Sequence, residues 1–506
     1  MQGRVASIGL RPSVVLAAAC FVLHALANGN YGFFRDELYF IVCGERPDWG
    51  YVDQPPVVPL LAAWSHAVFG DSLWGFRLLP ALLMSATVAA SAEFARGIGG
   101  GRFAQWLTGL AVLLGPIFLV TGVFFTTDLF QPLTWLALAW ILVRLEQTGD
   151  ERWWLAFGAV AGFSLESKYM IAFYAAALAI GLIFTPRWRS LSRPWVYLGA
   201  LVAGVMILPN VLWQQAHGWP FIELGKAGAN GKNIAFSQPA FLREQLLLAG
   251  PLAAGVWLCG LWACLVRPKL ATARAFAVAW LVLFEVFDLI HGKPYYMASI
   301  YPVLLAFGAG RIEAWVKAPA GRAAAIGAVA LAGVATAPLT LPILPVDAFV
   351  RYQKAIGVKP STGEHQLLGA LPQHYADMFG WPEMAARVAA VYRALPPQDR
   401  ARAVFYGENY GEAAAIDVFG RRLGLPPAIS GHNQYFLWGP RGHDGSVMII
   451  IGGDPKHYAD LFERFDVVGR IEAPYAMPYE TGQPIYVLRD MKTPLPAFWP
   501  MVKHYQ

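Results

Sequence analysis

The sequence predicts an all-α domain that crosses a membrane many times, followed by a small C-terminal α/β domain. Of the 506 residues, 57% are apolar and only 14% are charged, whereas a soluble chain carries about 25% charged residues. So few charges cannot cover a soluble surface of this size, so lipid must form part of the solvent. The long apolar runs end near residue 343, and a more polar segment follows.

Eleven apolar runs are candidates for transmembrane helices, each of which needs about 20 mostly apolar residues. The candidate spans are residues 12–28, 76–96, 103–121, 129–145, 153–166, 169–186, 195–213, 241–265, 275–291, 295–312 and 323–343. The first run follows Arg4 and Arg11 and could also be read as a signal peptide. We favour an uncleaved first helix because many more spans follow it.

The distribution of Lys and Arg predicts the orientation of these spans. With the N-terminus in the cytoplasm, the cytoplasmic segments hold 15 Lys and Arg in 55 residues, and the opposite loops hold 6 in about 97. An odd number of spans then places residues 344–506 on the outer face. We therefore expect a multi-pass membrane protein whose C-terminal domain lies on the outer face.

Residues 344–506 differ from the preceding part in composition and pattern. They contain 16 Lys and Arg and 16 Asp and Glu, and they have no long apolar run. Three short apolar segments predict buried strands, and three others predict helices. The strands are residues 402–407, 446–452 and 484–489, and the helices are 381–395, 408–423 and 455–465. At about 160 residues, this segment can bury a core of its own.

Composition and motifs exclude several other classes. Four cysteines are too few for a disulfide framework, and the spacing of Cys and His residues does not suggest a structural zinc. The net charge of +6 does not indicate a nucleic-acid partner, because most of it can be traced to one face of the membrane. We predict that no cofactor is required, and the sequence leaves a divalent metal open.

Polar residues gather in five stretches that this topology places on the outer face. The stretches are 35–37, 53–56, 126–128, 166–168 and 291–293. Ionisable residues near a membrane usually mark a functional site. Their position at the loop edges argues against a transporter, whose coupling residues lie near the midplane.

The adjacent carboxylates of Asp36 and Glu37 would project about 100° apart on a helix, so one can face a cleft while the other makes a structural contact. Asp36 could instead cap the helix. Asp53 and Gln54 precede two prolines and an expected interfacial helix over 57–69.

Asp128 and Lys168 also have structural alternatives. Asp128 could cap the next helix. Lys168 could pair with Glu166, reach the membrane interface or bind a lipid phosphate.

Taken together, these motifs resemble protein O-mannosyltransferase-like membrane enzymes, glycosyltransferase family 39 and its relatives, which include the lipid A aminoarabinose transferases. The resemblance covers residues 30–310 and depends on the order of several short motifs. They are Asp36-Glu37-Leu38-Tyr39, Asp53-Gln54-Pro55-Pro56, Phe76-Arg77-Leu78-Leu79-Pro80, Asp128, Ser167-Lys168-Tyr169 and Lys293-Pro294-Tyr295-Tyr296. The tail stretch Gly407–Glu412 also resembles many uncharacterised bacterial members.

The resemblance implies a GT-C fold, an outer-face active site and a polyprenyl-phosphate-linked sugar donor. It implies that Asp36 is the catalytic carboxylate and Asp128 a second acidic site residue, with Glu37 as a further candidate. The cations available for the donor phosphate are Lys168, Arg35, Arg77 and Lys293. The candidate substrate-binding residues are Tyr39, Gln54, Tyr295, Tyr296, Glu408 and His432.

One departure from the pattern concerns Gln54, because the aminoarabinose transferases carry Lys directly before Pro-Pro. We therefore expect either that the donor phosphate is held by different residues here or that the donor sugar differs.

The resemblance implies an inverting transfer from the lipid donor to a hydroxyl of lipid A, lipopolysaccharide or O-antigen saccharide, another envelope glycan or protein. It also implies a location in the bacterial inner membrane, with the C-terminal domain in the periplasm. The alternatives are a flippase for lipid-linked sugars, a non-catalytic envelope assembly protein, and an enzyme that moves a whole oligosaccharide.

Overall fold

The computed structural model describes residues 10–228, 231 and 234–505. This part of the chain is mostly helical and contains one four-stranded sheet. It divides into two compact units. The first unit comprises the described residues of Met1–Asn28, Arg77–Leu208 and Ala235–Ile343, and the second comprises those of Gly29–Phe76, Pro209–Ile234 and Leu344–Gln506.

The first unit is a helical bundle. Its helices are Pro12–Ala27, Leu78–Gly97, Arg102–Leu113, Pro116–Thr121, Gln131–Thr148, Trp153–Leu165, Met170–Ile183, Gln238–Leu248, Ala253–Val266, Ala271–Leu289, Tyr301–Trp315 and Pro319–Thr336. A further helix, Pro194–Ala216, begins in this unit and ends in the second.

Small residues allow two of these helices to approach closely. A Cβ atom at Gly260 would lie 1.9 Å from the carbonyl oxygen of Leu304, and one at Gly308 would lie 1.9 Å from that of Val256. Close approach at small residues is typical of helix packing in membranes, where van der Waals contact replaces the hydrophobic effect.

Three helical segments of the described chain are long and apolar enough to cross a membrane by themselves, namely Leu73–Gly97, Pro194–Ala216 and Pro319–Leu339. On the second of these, Leu201 and Val205 expose 61% and 59% of their surface, as expected for side chains that face lipid. These features fit a multi-pass membrane protein. The count of eleven spans stays a prediction.

The candidate span over 241–265 is not one continuous helix. The chain forms two helices there, Gln238–Leu248 and Ala253–Val266, which are bent by 109°. The break contains Gly250, with a φ of 105°, and Pro251. Proline cannot donate the helical hydrogen bond, and glycine adopts the positive φ without strain. A similar Gly115-Pro116 break separates two helices within 103–121.

The second unit joins two segments from the first half of the chain to the tail. Its helices are Arg35–Gly44, Val57–Phe69, Leu73–Phe76, Pro220–Ala227, Val346–Ala355, Gln373–Ala376, Trp381–Ala394, Pro397–Arg400, Tyr410–Ala415, Gln434–Trp438, Pro455–Leu461 and Leu495–Phe498. The helix expected over 57–69 is confirmed with these bounds. The assignment of 1–343 and 344–506 to separate domains stays a prediction.

The sheet lies within the tail and has the strand order β1-β2-β4-β3. Its strands are β1, Ala403–Tyr406; β2, Val447–Ile451; β3, Phe462–Arg470; and β4, Pro484–Met491. Strand β2 is parallel to β1 and antiparallel to β4. All five residues of β2 are buried, which explains its continuous apolar sequence.

The three predicted strands are confirmed, and β3 is an additional strand. The helix predicted over 455–465 ends at Leu461, so its end point is wrong. Strand β3 pairs only with β4 and is largely exposed. It therefore lacks the apolar alternation that makes a half-buried strand visible in a sequence.

Candidate active site

The two carboxylates at the start of the Arg35–Gly44 helix have different environments. Glu37 is fully buried, and its Oε2 atom accepts the backbone N–H of Phe34 at 2.8 Å. It therefore satisfies one of the unpaired donors at the start of the helix. The Asp36 side chain retains 31% of its exposure. Phe34 occupies the N-cap position, so Asp36 is not the N-cap.

Asp36 is held by a residue of the tail. The hydroxyl of Tyr410 donates a hydrogen bond of 2.7 Å to its Oδ1 atom. Burial raises the pKa of Tyr410 far above its usual value, so the phenol stays protonated and can donate. The backbone N–H of Tyr410 in turn points to Nδ1 of His432 at 3.4 Å.

Arg35 lies in a buried polar cluster beside Asp36. Its Nε atom is 3.7 Å from Asp36 Oδ1, its Nη2 atom is 3.8 Å from Asp377 Oδ2, and its Nη1 atom donates to the Tyr479 hydroxyl at 3.0 Å. Burial raises the pKa of Asp377 to about 6, although the positive charge of Arg35 opposes this rise. The Arg35 guanidinium is thus committed to groups of its own unit.

A second contact joins the Arg35–Gly44 helix to the loop at residue 53. The Tyr39 hydroxyl donates to Asp53 Oδ1 at 3.0 Å and accepts the backbone N–H of Gln434 at 3.2 Å. Asn433 donates to the other oxygen of Asp53 at 3.4 Å. Gln54 is 1% exposed. The predicted stretches at 35–37 and 53–54 therefore come together in one unit.

The two tail residues predicted to bind substrate differ in exposure. His432 is buried, and its ring centroid lies 4.8 Å from that of Tyr410. Glu408 is exposed, and its Oε1 atom accepts a long hydrogen bond of 3.4 Å from Tyr458.

The first unit holds a separate polar cluster built from two of the predicted stretches and from the Lys293-Pro294-Tyr295-Tyr296 motif. Lys168 Nζ forms an ion pair of 2.7 Å with Asp128 Oδ2. The same Nζ atom lies 5.4 Å and 5.2 Å from the ring centres of Tyr295 and Tyr296. Lys168 therefore pairs with Asp128 rather than with Glu166. Asp128 is not the N-cap of the next helix, because Phe130 holds that position.

The remaining predicted cations of the first unit lie in different settings. Arg77 is fully buried, its guanidinium carbon lies 5.2 Å from the Phe124 ring centre, and its Nη1 atom is 3.5 Å from the Asn28 carbonyl oxygen. Lys293 is half-buried and precedes the 3₁₀ helix Pro294–Ile300. Arg77 is therefore enclosed within its unit, whereas Lys293 retains contact with solvent.

Within residues 10–228, 231 and 234–505, no group of three or more His, Cys, Asp or Glu side chains is arranged to hold a metal ion. The chemistry that these residues offer is that of a partly exposed carboxylate in one unit and a part-buried ion pair in the other. A carboxylate can accept a proton from a hydroxyl, and a lysine can attract a phosphate.

Several residues of the Asp36 cluster were not predicted as site residues, namely Tyr410, Asp377, Tyr479 and Asn433. Tyr410 had a signal, because it lies in the tail stretch Gly407–Glu412 that takes part in the resemblance. Asp377, Tyr479 and Asn433 stand outside every motif, and only the fold brings them to the helix.

The comparisons with known proteins first define the class. Residues 53–213 match the family model described as dolichyl-phosphate-mannose-protein mannosyltransferase. A curated relative from Corynebacterium glutamicum, polyprenol-phosphate-mannose–protein mannosyltransferase, is 26% identical over 166 residues, which cover 28% of this chain and 32% of the relative. The matched region thus spans about a third of that relative.

Solved structures then identify the particular fold. ArnT from Cupriavidus metallidurans bound to undecaprenyl phosphate superimposes with a TM-score of 0.60 at 18% identity, over 94% of this chain and 97% of ArnT. Its apo form gives the same TM-score at 16% identity and the same coverage. These likenesses confirm the predicted resemblance to GT-C glycosyltransferases of the protein O-mannosyltransferase type.

Proposed function

We propose that this protein is a membrane glycosyltransferase that moves a sugar from a polyprenyl-phosphate donor to a hydroxyl of an envelope acceptor. The observation that carries this proposal is the environment of Asp36, a partly exposed carboxylate held by Tyr410 at the start of a helix. The family match over residues 53–213 and the ArnT-like fold support the same conclusion.

In the proposed reaction, Asp36 accepts the proton of the acceptor hydroxyl as its oxygen attacks the anomeric carbon. The bond between that carbon and the phosphate oxygen breaks, and the polyprenyl phosphate leaves. A single direct displacement of this kind inverts the anomeric configuration. A positioned general base typically contributes about 10²–10⁴-fold to the rate.

Lys168 is the proposed partner of the donor phosphate. Its side chain is 13% exposed, and its ammonium is held by Asp128, so the charge is positioned before a ligand binds. The names of the two kinds of relative support a lipid donor, because one uses polyprenol-phosphate-mannose and the other binds undecaprenyl phosphate. Asp128 then acts by positioning Lys168.

The proposed location is the outer face of the bacterial inner membrane, with the N-terminus in the cytoplasm. A lipid-linked donor suits this face, because its chain stays in the bilayer while its head group reaches the site. The candidate acceptors are lipid A, lipopolysaccharide saccharide, another glycan and protein.

The test uses purified protein with one acceptor extract and two donors, a polyprenyl-phosphate sugar and the matching nucleotide sugar. We expect transfer only from the lipid-linked donor, measured as the mass added to the acceptor. Transfer only from the nucleotide sugar would overturn the proposal. Movement of the lipid-linked sugar across vesicles without any transfer would indicate a flippase instead.

The matched variant is Asp36→Asn, which keeps the shape of the side chain and removes its basicity. We expect it to fold normally and to lose nearly all transfer. Near-normal turnover would move the catalytic role to Glu37 or Asp128.

A further inference from the structure

The second unit contains two arginines that flank one indole ring. The guanidinium carbon of Arg46 lies 4.5 Å from the ring centre of Trp438, and that of Arg441 lies 5.3 Å from the same centre. Trp438, Arg46 and Arg441 are all half-buried. Two like charges close together repel each other, so a pair of this kind needs compensation.

Within the described chain, the positive charges of Arg46 and Arg441 are only partly balanced by negative charge. Asp417 is the acid of this cluster, and its carboxylate already accepts the N–H of Ala428 at 2.7 Å, the Tyr435 hydroxyl at 3.0 Å and Arg441 at 3.3 Å. Among the described residues, the Arg46 guanidinium forms no hydrogen bond or ion pair.

Glu45, the acid next to Arg46 in sequence, does not pair with it either. Glu45 accepts hydrogen bonds from both terminal nitrogens of Arg421, the shorter one at 2.6 Å. The cluster of Arg46, Asp417 and Arg441 therefore carries one excess positive charge. Burial and the charge of Arg441 lower the pKa of Arg46, and the negative charge of Asp417 opposes this fall only in part.

The loop that presents Arg441 has an unfavourable backbone. Arg441 has a φ of 49°, between Gly439 at 73° and Gly442 at 83°. The left-handed region is disfavoured for a residue with a Cβ atom, and such residues gather at ligand sites where the surrounding structure holds them. Here the ion pair with Asp417 supplies that constraint.

Tyr435 links this cluster to the site already described. Its ring centroid lies 4.8 Å from that of Trp438 and 6.4 Å from that of Tyr39. Tyr39 in turn binds Asp53. Contacts through Tyr435 and Tyr39 therefore connect the two arginines to Asp53.

We propose that Arg46, Trp438 and Arg441 form a subsite for an oxyanion, a phosphate or a carboxylate, carried by the acceptor saccharide. This proposal rests on the proposed function, because it assumes that the protein has an acceptor saccharide. It places the oxyanion of that saccharide away from the hydroxyl that receives the sugar. Arginine forks match phosphate and carboxylate oxygens, and the half-buried indole, over which both guanidinium groups lie, holds the two forks close together.

The test measures binding to the full-length protein in detergent, without donor, by isothermal titration calorimetry. The probes are glucose 6-phosphate, glucuronate, neutral glucose and inorganic phosphate. We expect at least one of the two anionic sugars to bind, and the preferred one identifies the oxyanion. Equal binding of glucose, or equally tight binding of inorganic phosphate, would overturn the saccharide subsite.

The variant Arg46→Gln removes the unpaired charge without disturbing Asp417, so it is expected to fold. We expect about a tenfold loss of affinity for the preferred sugar, since loss of one charge-assisted contact is of this size. Arg351→Gln, an exposed arginine of the same unit, should leave the affinity unchanged. An unchanged affinity in Arg46→Gln would overturn the proposal.

The binding and transfer measurements distinguish failure of the subsite from failure of the proposed function. Asp36→Asn should bind the anionic sugar like the unmodified protein, because the subsite does not contain Asp36. If no donor supports transfer while binding depends on Arg46, the proposed function is wrong and the oxyanion site is supported. If transfer occurs and the anionic sugars do not bind, the subsite proposal is wrong and the proposed function is supported.

Discussion

The hydroxyl of Tyr410 donates a 2.7 Å hydrogen bond to Asp36 across 374 residues of sequence. Arg35, the residue before Asp36, lies over the same ring, with its guanidinium carbon 5.2 Å from the ring centre. The tail thus contacts both the carboxylate proposed as the base and the cation beside it.

Replacing Tyr410 with Phe should lower kcat and leave the donor KM nearly unchanged. The change removes one hydrogen bond to a charged group, worth about 1.5–3 kcal/mol, so a loss of roughly 10–100-fold is expected. Steady-state kinetics would measure this. Tyr392→Phe, in a helix of the same tail, is the control and should change neither parameter. An unaltered kcat in Tyr410→Phe would show that Asp36 needs no such support.

Replacing Lys168 with Ala should raise the donor KM about tenfold or more and affect the acceptor KM less. Asp128→Asn should act in the same direction, because it removes the partner that holds the ammonium 2.7 Å away. If the two residues act as a unit, the double variant will lose little beyond Lys168→Ala. The exposed Lys317→Ala serves as the control. Additive losses would give Asp128 a separate role.

The stability of the second unit should fall as pH rises from about 4.5 to about 7. Burial raises the pKa of Glu480 from 4.5 to about 7, and Asn409 opposes this rise by donating a hydrogen bond of 2.9 Å. The folded state therefore binds the proton more tightly than the unfolded state. Its stabilising effect is complete below the unfolded pKa and is lost through the folded pKa.

Glu480→Gln mimics the protonated form and should weaken this pH dependence. Part of it should remain, because burial also raises the pKa values of Glu412 and Asp377 in the same unit. At pH 8 the variant should be more stable than the unmodified protein by up to about 3 kcal/mol, since each pKa unit corresponds to about 1.4 kcal/mol. Near pH 4.5 the two should unfold alike. Thermal unfolding in detergent at several pH values would measure the difference. A variant that is less stable at pH 8 would contradict the expectation.

The predicted topology has a direct test near residue 440. With the four native cysteines replaced by serine, Pro440→Cys should react with a membrane-impermeant thiol reagent in intact cells with a permeabilised outer membrane. A cysteine in the predicted cytoplasmic segment 144–152 should react only after lysis. The opposite result would reverse the orientation that the Lys and Arg distribution predicts.

The sequence predicted those features that depend on local pattern. The helix over 57–69 follows from Pro-Pro and an uncharged apolar run, and the different environments of Asp36 and Glu37 follow from the geometry of a helix. Strand β3 was not predicted because an exposed edge strand has no apolar alternation. Asp377 and Tyr479 were not predicted as site residues because their importance comes from contact with Arg35. A contact between distant segments leaves no local sequence pattern.

The arrangement around Gly411 limits how this protein could be rebuilt from its relatives. A methyl group at that position would lie 2.5 Å from Cγ of Arg35, so the tail and the Arg35–Gly44 helix have to match each other in shape. A chimera that exchanges residues 344–506 alone would bring a foreign surface against that helix. The smallest exchangeable part is therefore the whole second unit, with residues 29–76 and 209–234 transferred together with the tail.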